Sequence, residues 1–194
     1  MAFRFPSLRK ARLQDEVRRF RLGVPRLEPM LPNPPQALME LAEIAWHGWF
    51  WPQDVINGDV SEAWDSGVYM WLDTAMNPLV TPLRGTHKKI LYIGKCFFQS
   101  FTQRISQEWN EPIGRWLRRN SKYDLTLKLG TVALVGRERL SQAMLEDVEN
   151  LLIIAQRPSG NISSTETYAG RDLTIINGCR HAPLPISVST DELE

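Results

Sequence analysis

Two phenols, a guanidinium, a carboxylate and a carboxamide stand in this 194-residue chain in an order that suits one reaction. Tyr69 closes Gly67-Val68-Tyr69, Tyr92 opens Tyr92-Ile93-Gly94-Lys95, and Arg104, Glu149 and Asn161 follow. Hydrolysis of a phosphodiester needs an activated water, neutralisation of the charge that builds on the phosphate, and help for the departing oxygen. One bound divalent cation supplies the last two. A hard ion such as Mg²⁺ or Mn²⁺ prefers oxygen ligands and keeps several waters, so one protein carboxylate and the substrate phosphate suffice. The planar fork of Arg104 matches a pair of phosphate oxygens. A phenol of pKa near 10 is ionised in roughly one molecule in a thousand at pH 7. For Tyr69 or Tyr92 to activate water, positive charge from Arg104, Lys95 or the metal must therefore lower that pKa. Taken singly, each residue has a plainer reading: a tyrosine satisfied in the core, an arginine laid along an apolar stripe, a helix acid facing water.

Periodicity and breaker residues indicate the elements that must hold these groups. A basic helix is expected over 7–22, then a proline-rich stretch with Pro29, Pro32, Pro34 and Pro35. A second helix is expected from about Gln36 to His47, with Leu38, Leu41, Ala42 and Ala45 as its stripe, and Trp49, Phe50 and Trp51 follow as core anchors. Gly67 to Leu72 and Lys89 to Ile93 read as strands joined by a long loop with Asn77-Pro78, Pro82 and Gly85. Gln99 to Gln107 reads as a helix with Phe98, Phe101 and Ile105 inward, and Ile113 to Arg119 as a basic one. Leu125 to Val135 suits a third strand or strand pair. Ser141 is the expected N-cap of a helix whose stripe is Met144, Leu145, Val148, Leu151, Leu152 and Ala155, ended by Pro158 and Gly160. Leu173 to Ile176 reads as a last strand. The order strand, strand, helix, helix, strand, helix predicts an α+β domain in which a small, mainly antiparallel three-stranded sheet packs against helices. On the last of those helices Glu149 lies at the rim of the apolar stripe, with Asp147 on the opposite rim. Geometry alone does not choose between them.

In order and context these residues resemble the GIY-YIG nuclease family. The likeness rests on Gly67-Val68-Tyr69, on Tyr92-Ile93-Gly94-Lys95, on Arg104, and on Glu149-Asn150-Leu151-Leu152-Ile153-Ile154 followed by Arg157-Pro158 and Asn161. It covers about residues 66–162, half of the chain. The resemblance implies a GIY-YIG-like fold and a metal-dependent endonuclease acting on DNA. It makes Glu149 the metal ligand and Arg104 the phosphate-binding arginine. Tyr69 then takes part in activating the water, and Tyr92 supports that network or contacts phosphate. Lys95 fits the common basic position after the second tripeptide, and Asn161 ties its loop to the site by hydrogen bonds. Three departures stand out. The segment between the tripeptides is long, the approach from Tyr92 to Arg104 is extended, and Glu108 occupies a place where many members carry His or Tyr. Glu108 can pair with Arg104 and weaken its grip on phosphate. The competing reading is a non-catalytic nucleic-acid-binding or interaction protein on the same fold; an enzyme acting on RNA is a more remote one.

The bulk properties fit this picture without choosing it. Hydrophobic content of 43% and charged content of 23% are those of a globular domain. Net charge is only +1, so any affinity for nucleic acid must come from local patches. One candidate patch is the Arg-rich segment from Arg4 to Arg26, and the other is Arg115, Arg118, Arg119 and Lys122; solvated helix faces are the alternative. No apolar run approaches the roughly 18 residues of a membrane span, and the N-terminus has no secretory pattern. Its Arg-rich character suggests an organelle transit peptide, but Asp15 and Glu16 argue against one. Cys96 and Cys179 are expected as free thiols in a reduced, intracellular protein, whether in cytoplasm, nucleoid or nucleus. His47, His87 and His181 lack metal-ligand spacing, which argues against zinc. The expected organisation is a basic helical extension over 1–60, a nuclease-like domain over 61–186, and an acidic tail over 187–194.

Overall fold

The computed structural model describes residues 39–74, 88–136, 139–162, 166–178 and 183–193. All of them lie in one compact unit, Leu38–Glu194. The basic helix expected over 7–22, the proline-rich stretch and the 77–85 loop lie outside the described residues.

The strands are β1 (Glu40–Phe50), β2 (Gly67–Thr74), β3 (Lys88–Cys96), β4 (Asp124–Leu134), β5 (Leu173–Asn177) and β6 (Ser187–Ser189). They form one sheet in the order β3-β2-β4-β1-β5-β6. Neighbours run antiparallel except β1 and β5, which are parallel. The expected three-stranded antiparallel sheet is therefore corrected: β3, β2 and β4 are such a set, but they are half of a six-stranded mixed sheet. The main cause is residues 40–50, expected as part of a helix and of an N-terminal extension. They form a strand between β4 and β5 and belong to the same unit as the rest of the sheet. Ala42, Ile44 and Trp46 are its buried residues, spaced by two as a pleated strand requires. Leu41 and Ala45, on the other face, are partly buried as well. With apolar residues on both faces, the alternation is blurred and an accidental helical stripe can be traced.

Four helices flank the sheet among the described residues: α1 (Pro52–Asn57), α2 (Phe101–Asn110), α3 (Pro112–Asn120) and α4 (Gln142–Gln156). The start of α2 is fixed by a capping box, in which the Gln103 amide nitrogen donates to Ser100 Oγ and the Ser100 nitrogen donates to Gln103 Oε1. Ser141 Oγ accepts from the Met144 nitrogen at the start of α4. The α4 stripe, Met144, Leu145, Val148, Leu151 and Leu152, packs on Ile44, Met70, Ile93 and Ile175. A second core on the opposite side joins Val55 of α1, Phe101 and Ile105 of α2 and Leu117 of α3 to Tyr69, Trp71 and Leu129. Each large side chain so buried contributes about 1.5–3 kcal/mol. β2 is buried along its whole length, since both cores rest on it. Phe98, expected inward, is instead 85% exposed. The stretch expected as an acidic tail begins as β6 and continues in a short 3₁₀ turn over Thr190–Glu192.

Candidate functional site

The two tripeptides lie side by side. Tyr69 on β2 is opposite Gly94 on β3, and Trp71 is opposite Tyr92. The missing side chain of Gly94 is what admits Tyr69, because a Cβ there would overlap the tyrosine ring and hydroxyl. Gly67, at φ +152°, likewise backs onto the Gly130 carbonyl oxygen with no room for a side chain. Beside Tyr92 the register slips: Leu72 pairs with Ile90, so Leu91 is the extra residue of a β-bulge. The bulge lets Leu91 and Tyr92 both pack on the α2 side, while Ile90 and Ile93 pack on the α4 side.

Tyr69 is fully buried, and its hydroxyl donates to Glu108 Oε1 at 2.5 Å. Trp71 Nε1 donates to Glu108 Oε2 at 3.1 Å. Arg104, one turn earlier on α2, donates from Nη2 to Glu108 Oε1 at 3.0 Å and from Nε to the Tyr69 hydroxyl at 3.2 Å. Glu108 has no solvent exposure. Its charge is tolerated because three donors satisfy it. Burial pushes Glu108 above the ordinary carboxylate range, against the pull of Tyr69, Arg104 and Trp71. Burial first, then the charge of Glu108, drives the Tyr69 phenol well above its usual value, and Arg104 offsets only part of this. Tyr92, half-buried, is also pushed up by burial and by Glu108 and Glu149. Arg104 by itself therefore does not supply the lowering of the phenol pKa values that the sequence reading asked of positive charge. Burial and the buried carboxylates outweigh the guanidinium.

On the α4 side of β3, Lys95 Nζ is paired with Glu149 Oε2 and reaches Glu146 Oε1 at 3.7 Å. Glu149 retains 13% side-chain exposure and Glu146 53%. Burial raises the Glu149 carboxyl above its ordinary range; the Lys95 bond and charge and, more weakly, Arg104 oppose this. Asp147 turns away and pairs with Arg171 at 3.6 Å. Among the described residues, no group of three His, Cys, Asp or Glu side chains converges as a metal cage. Glu149 and Glu146 do present hard oxygens one turn apart beside a single ammonium. That donor set would suit a hydrated Mg²⁺ or Mn²⁺, ions that take hard oxygen ligands and keep several waters.

Asn161 meets β3 from outside the sheet. Its Oδ1 accepts from the Ile93 nitrogen at 2.9 Å, its Nδ2 donates to the Ile93 oxygen at 2.8 Å, and the Gly160 nitrogen donates to the Leu91 oxygen at 2.8 Å. The 160–161 turn thereby satisfies the outward backbone groups of an edge strand, which would otherwise be open to pairing. The carboxamide imitates a peptide group and fixes the loop after α4 beside Tyr92 and Gly94.

Tyr69, Tyr92, Lys95, Arg104, Glu149 and Asn161 are therefore drawn together around β3 from distant parts of the chain. The basic cluster is not part of this group. Arg115 and Arg118 donate to the Asn110 and Trp109 carbonyls, and Arg118 lies over the Trp109 ring. The Lys122 nitrogen donates to Asp73, four residues along β2 from Tyr69 and so about 13 Å away. An open cavity of about 680 Å³ also lies elsewhere, between the end of α4 and β6, and takes in none of the six residues. The pairing of Glu108 with Arg104 that the sequence allowed is present, but the sequence reading missed Glu108 as the buried acceptor of Tyr69, Trp71 as a further partner, and Glu146. Spacings of two on β2 (Tyr69, Trp71) and four on α2 (Arg104, Glu108) were the available signals. Comparison with protein-family models, curated proteins and solved structures gave no match. No helix among the described residues is long and apolar enough to cross a membrane.

Proposed function

We propose that this chain is a GIY-YIG-type endonuclease that hydrolyses DNA phosphodiesters with a single Mg²⁺ or Mn²⁺. The observation that carries the reading is the convergence at β3 of Tyr92 and Lys95 with Arg104 from α2 and Glu149 from α4, held by Asn161 and by the Tyr69–Glu108 pair. The distribution of roles follows from exposure. Arg104 keeps 30% of its side chain exposed and has N–H groups beyond those given to Tyr69 and Glu108, so it can grip a phosphate. Tyr92 can reach substrate, and as a neutral phenol it donates to a phosphate oxygen or orients the attacking water. Tyr69 is a positioning residue: it holds Arg104 and does not meet substrate. Glu149, with Glu146, would hold the metal, which when bound would neutralise charge on the phosphate. Lys95 adds positive charge at the same place. A water oxygen bonds to phosphorus as the ester P–O bond breaks, and the departing oxygen takes up the proton that the water gives up.

A second reading, a non-catalytic nucleic-acid-binding or interaction protein, is favoured by one observation: Arg104 and Lys95 are each already paired with a carboxylate. Purified protein on supercoiled plasmid, in Mg²⁺, Mn²⁺ or chelator, separates the two. Nicked or linear product that appears only with metal supports the nuclease. Binding without product in either metal supports the second reading.

A further inference from the structure

Lys95 and Arg104 are both paired with carboxylates, but the two pairs are held differently. Arg104 bonds to Glu108, which has no solvent exposure and takes two further donors, the Tyr69 hydroxyl and Trp71 Nε1. Moving Arg104 away would strip compensating charge from a buried anion. Lys95 pairs with Glu149, which keeps 13% of its side chain exposed, and lies 3.7 Å from Glu146, which keeps 53%. The two acids are three residues apart on α4 and so share a face. The ammonium is a point charge on a flexible four-carbon stem. It can turn away without movement of β3, leaving acids that water already reaches.

An ammonium and a hard divalent cation seek the same carboxylate oxygens. Lys95 sets one positive charge against the two acids and occupies the more buried of them. A cation that binds Glu149 must therefore take it from Lys95, and the displaced ammonium is left beside a like charge. An anion arriving at that place relieves the repulsion.

Building on the nuclease reading, we propose that Lys95 is an internal counter-ion that competes with the divalent cation for Glu149 and yields it when a phosphodiester takes up the ammonium. Metal and DNA then bind with positive coupling, each tightening the other by the same factor. The free chain holds the cation weakly, and the site is completed on its substrate.

Mn²⁺ binding to the full chain, read from the paramagnetic resonance signal of the free ion, tests this without turnover. It is measured alone and with a phosphorothioate DNA duplex that resists hydrolysis, after subtraction of the ions that the duplex binds by itself. The duplex should raise the wild-type affinity for Mn²⁺, a comparison that needs no variant to fold. Without DNA, Lys95→Gln, which keeps a neutral donor for Glu149, should bind Mn²⁺ roughly five- to a hundredfold more tightly than the wild type. It should also gain less from the duplex. Lys95→Arg keeps the charge and should stay close to the wild type. A wild-type affinity that the duplex does not change, or a folded Lys95→Gln that binds no more tightly, would overturn the competition. If Glu149→Gln still abolished Mn²⁺ binding, the nuclease reading would stand. Absence of Mn²⁺ binding by wild type and Lys95→Gln, with and without the duplex, would overturn both.

Discussion

The Tyr69 hydroxyl donates to the Glu108 carboxylate at 2.5 Å inside the protein, with Arg104 bonded to both partners. One buried anion therefore sets the position of the guanidinium and, second to burial, adds to the upward push on the neighbouring phenols. On the proposed nuclease reading, the tyrosine of the first tripeptide acts through Arg104, and the half-buried tyrosine of the second is the one that would meet substrate. The two phenols thus have separable roles.

Tyr69→Phe removes one of three donors from a carboxylate that no water reaches. Its unfolding free energy should fall by about 1–3 kcal/mol, with slower cleavage because Arg104 loses its seat. Tyr92→Phe removes a hydroxyl from a half-buried ring, so stability should change by less than about 1 kcal/mol while cleavage is strongly reduced. Urea unfolding of the two variants checks this ordering, and equal stabilities would contradict it.

Glu108→Gln removes the negative charge that helps to raise both phenols. In a spectrophotometric titration, phenolate should then form at lower pH than in the wild type. The same variant reports on stability against pH. Glu108 has a folded-state pKa raised above that of the unfolded chain by burial. The stability it contributes is fully present below the unfolded carboxylate pKa and is lost as pH rises through the folded one. Measured from the acid side of the carboxylate range upward, wild-type stability should therefore decline relative to Glu108→Gln. A gap that widens in the wild type's favour with rising pH would contradict the sign.

Asn161→Ala deletes both side-chain bonds to Ile93 and leaves its N–H and C=O outside the ladder. Stability should fall by about 1–3 kcal/mol, and the Ile93 amide should exchange with solvent much faster, with smaller changes on β4. Unaltered exchange at Ile93 would show that the edge is covered by something else.

The legible part of this molecule was the part whose signals are local. β2, β3, α2, α3 and α4 are each marked by β-rich runs, caps or breakers, and Ser141 stands where α4 starts. β1 was misread because a strand covered on both faces does not alternate cleanly, and because its partners β4 and β5 begin more than seventy residues away. Within the site, the family resemblance pointed to the six side chains but not to their charges. Whether Tyr69 sits beside cations or beside a buried anion depends on which face of α2 meets β2, and Glu108 reaches it only in three dimensions. Phe98 was expected inward because it continues the Phe101 and Ile105 stripe. It fails to be so because the capped helix begins only at Phe101.

Arg119 and Lys122 are exposed, and Lys122 is held at Asp73, about 13 Å along β2 from Tyr69, so they should contribute to binding and not to chemistry. Changing both to alanine should flatten the dependence of log affinity on log salt by about one to two units and leave the cleavage rate at saturating DNA unchanged. A reduced saturated rate would place them nearer the reacting phosphate than the fold allows.

The account rests most heavily on Glu149. Glu149→Gln keeps the size of a side chain that Lys95 now pairs with, and Asp147→Asn alters the neighbouring acid that faces Arg171 instead. Single-turnover cleavage of DNA in Mg²⁺, measured alongside DNA binding and thermal unfolding, is the direct comparison. The prediction is a loss of at least about a thousandfold in rate for Glu149→Gln, with binding and folding largely kept, and near-normal cleavage by Asp147→Asn. Normal Mg²⁺-dependent cleavage by Glu149→Gln, or a dead Asp147→Asn, would contradict the assignment of the site.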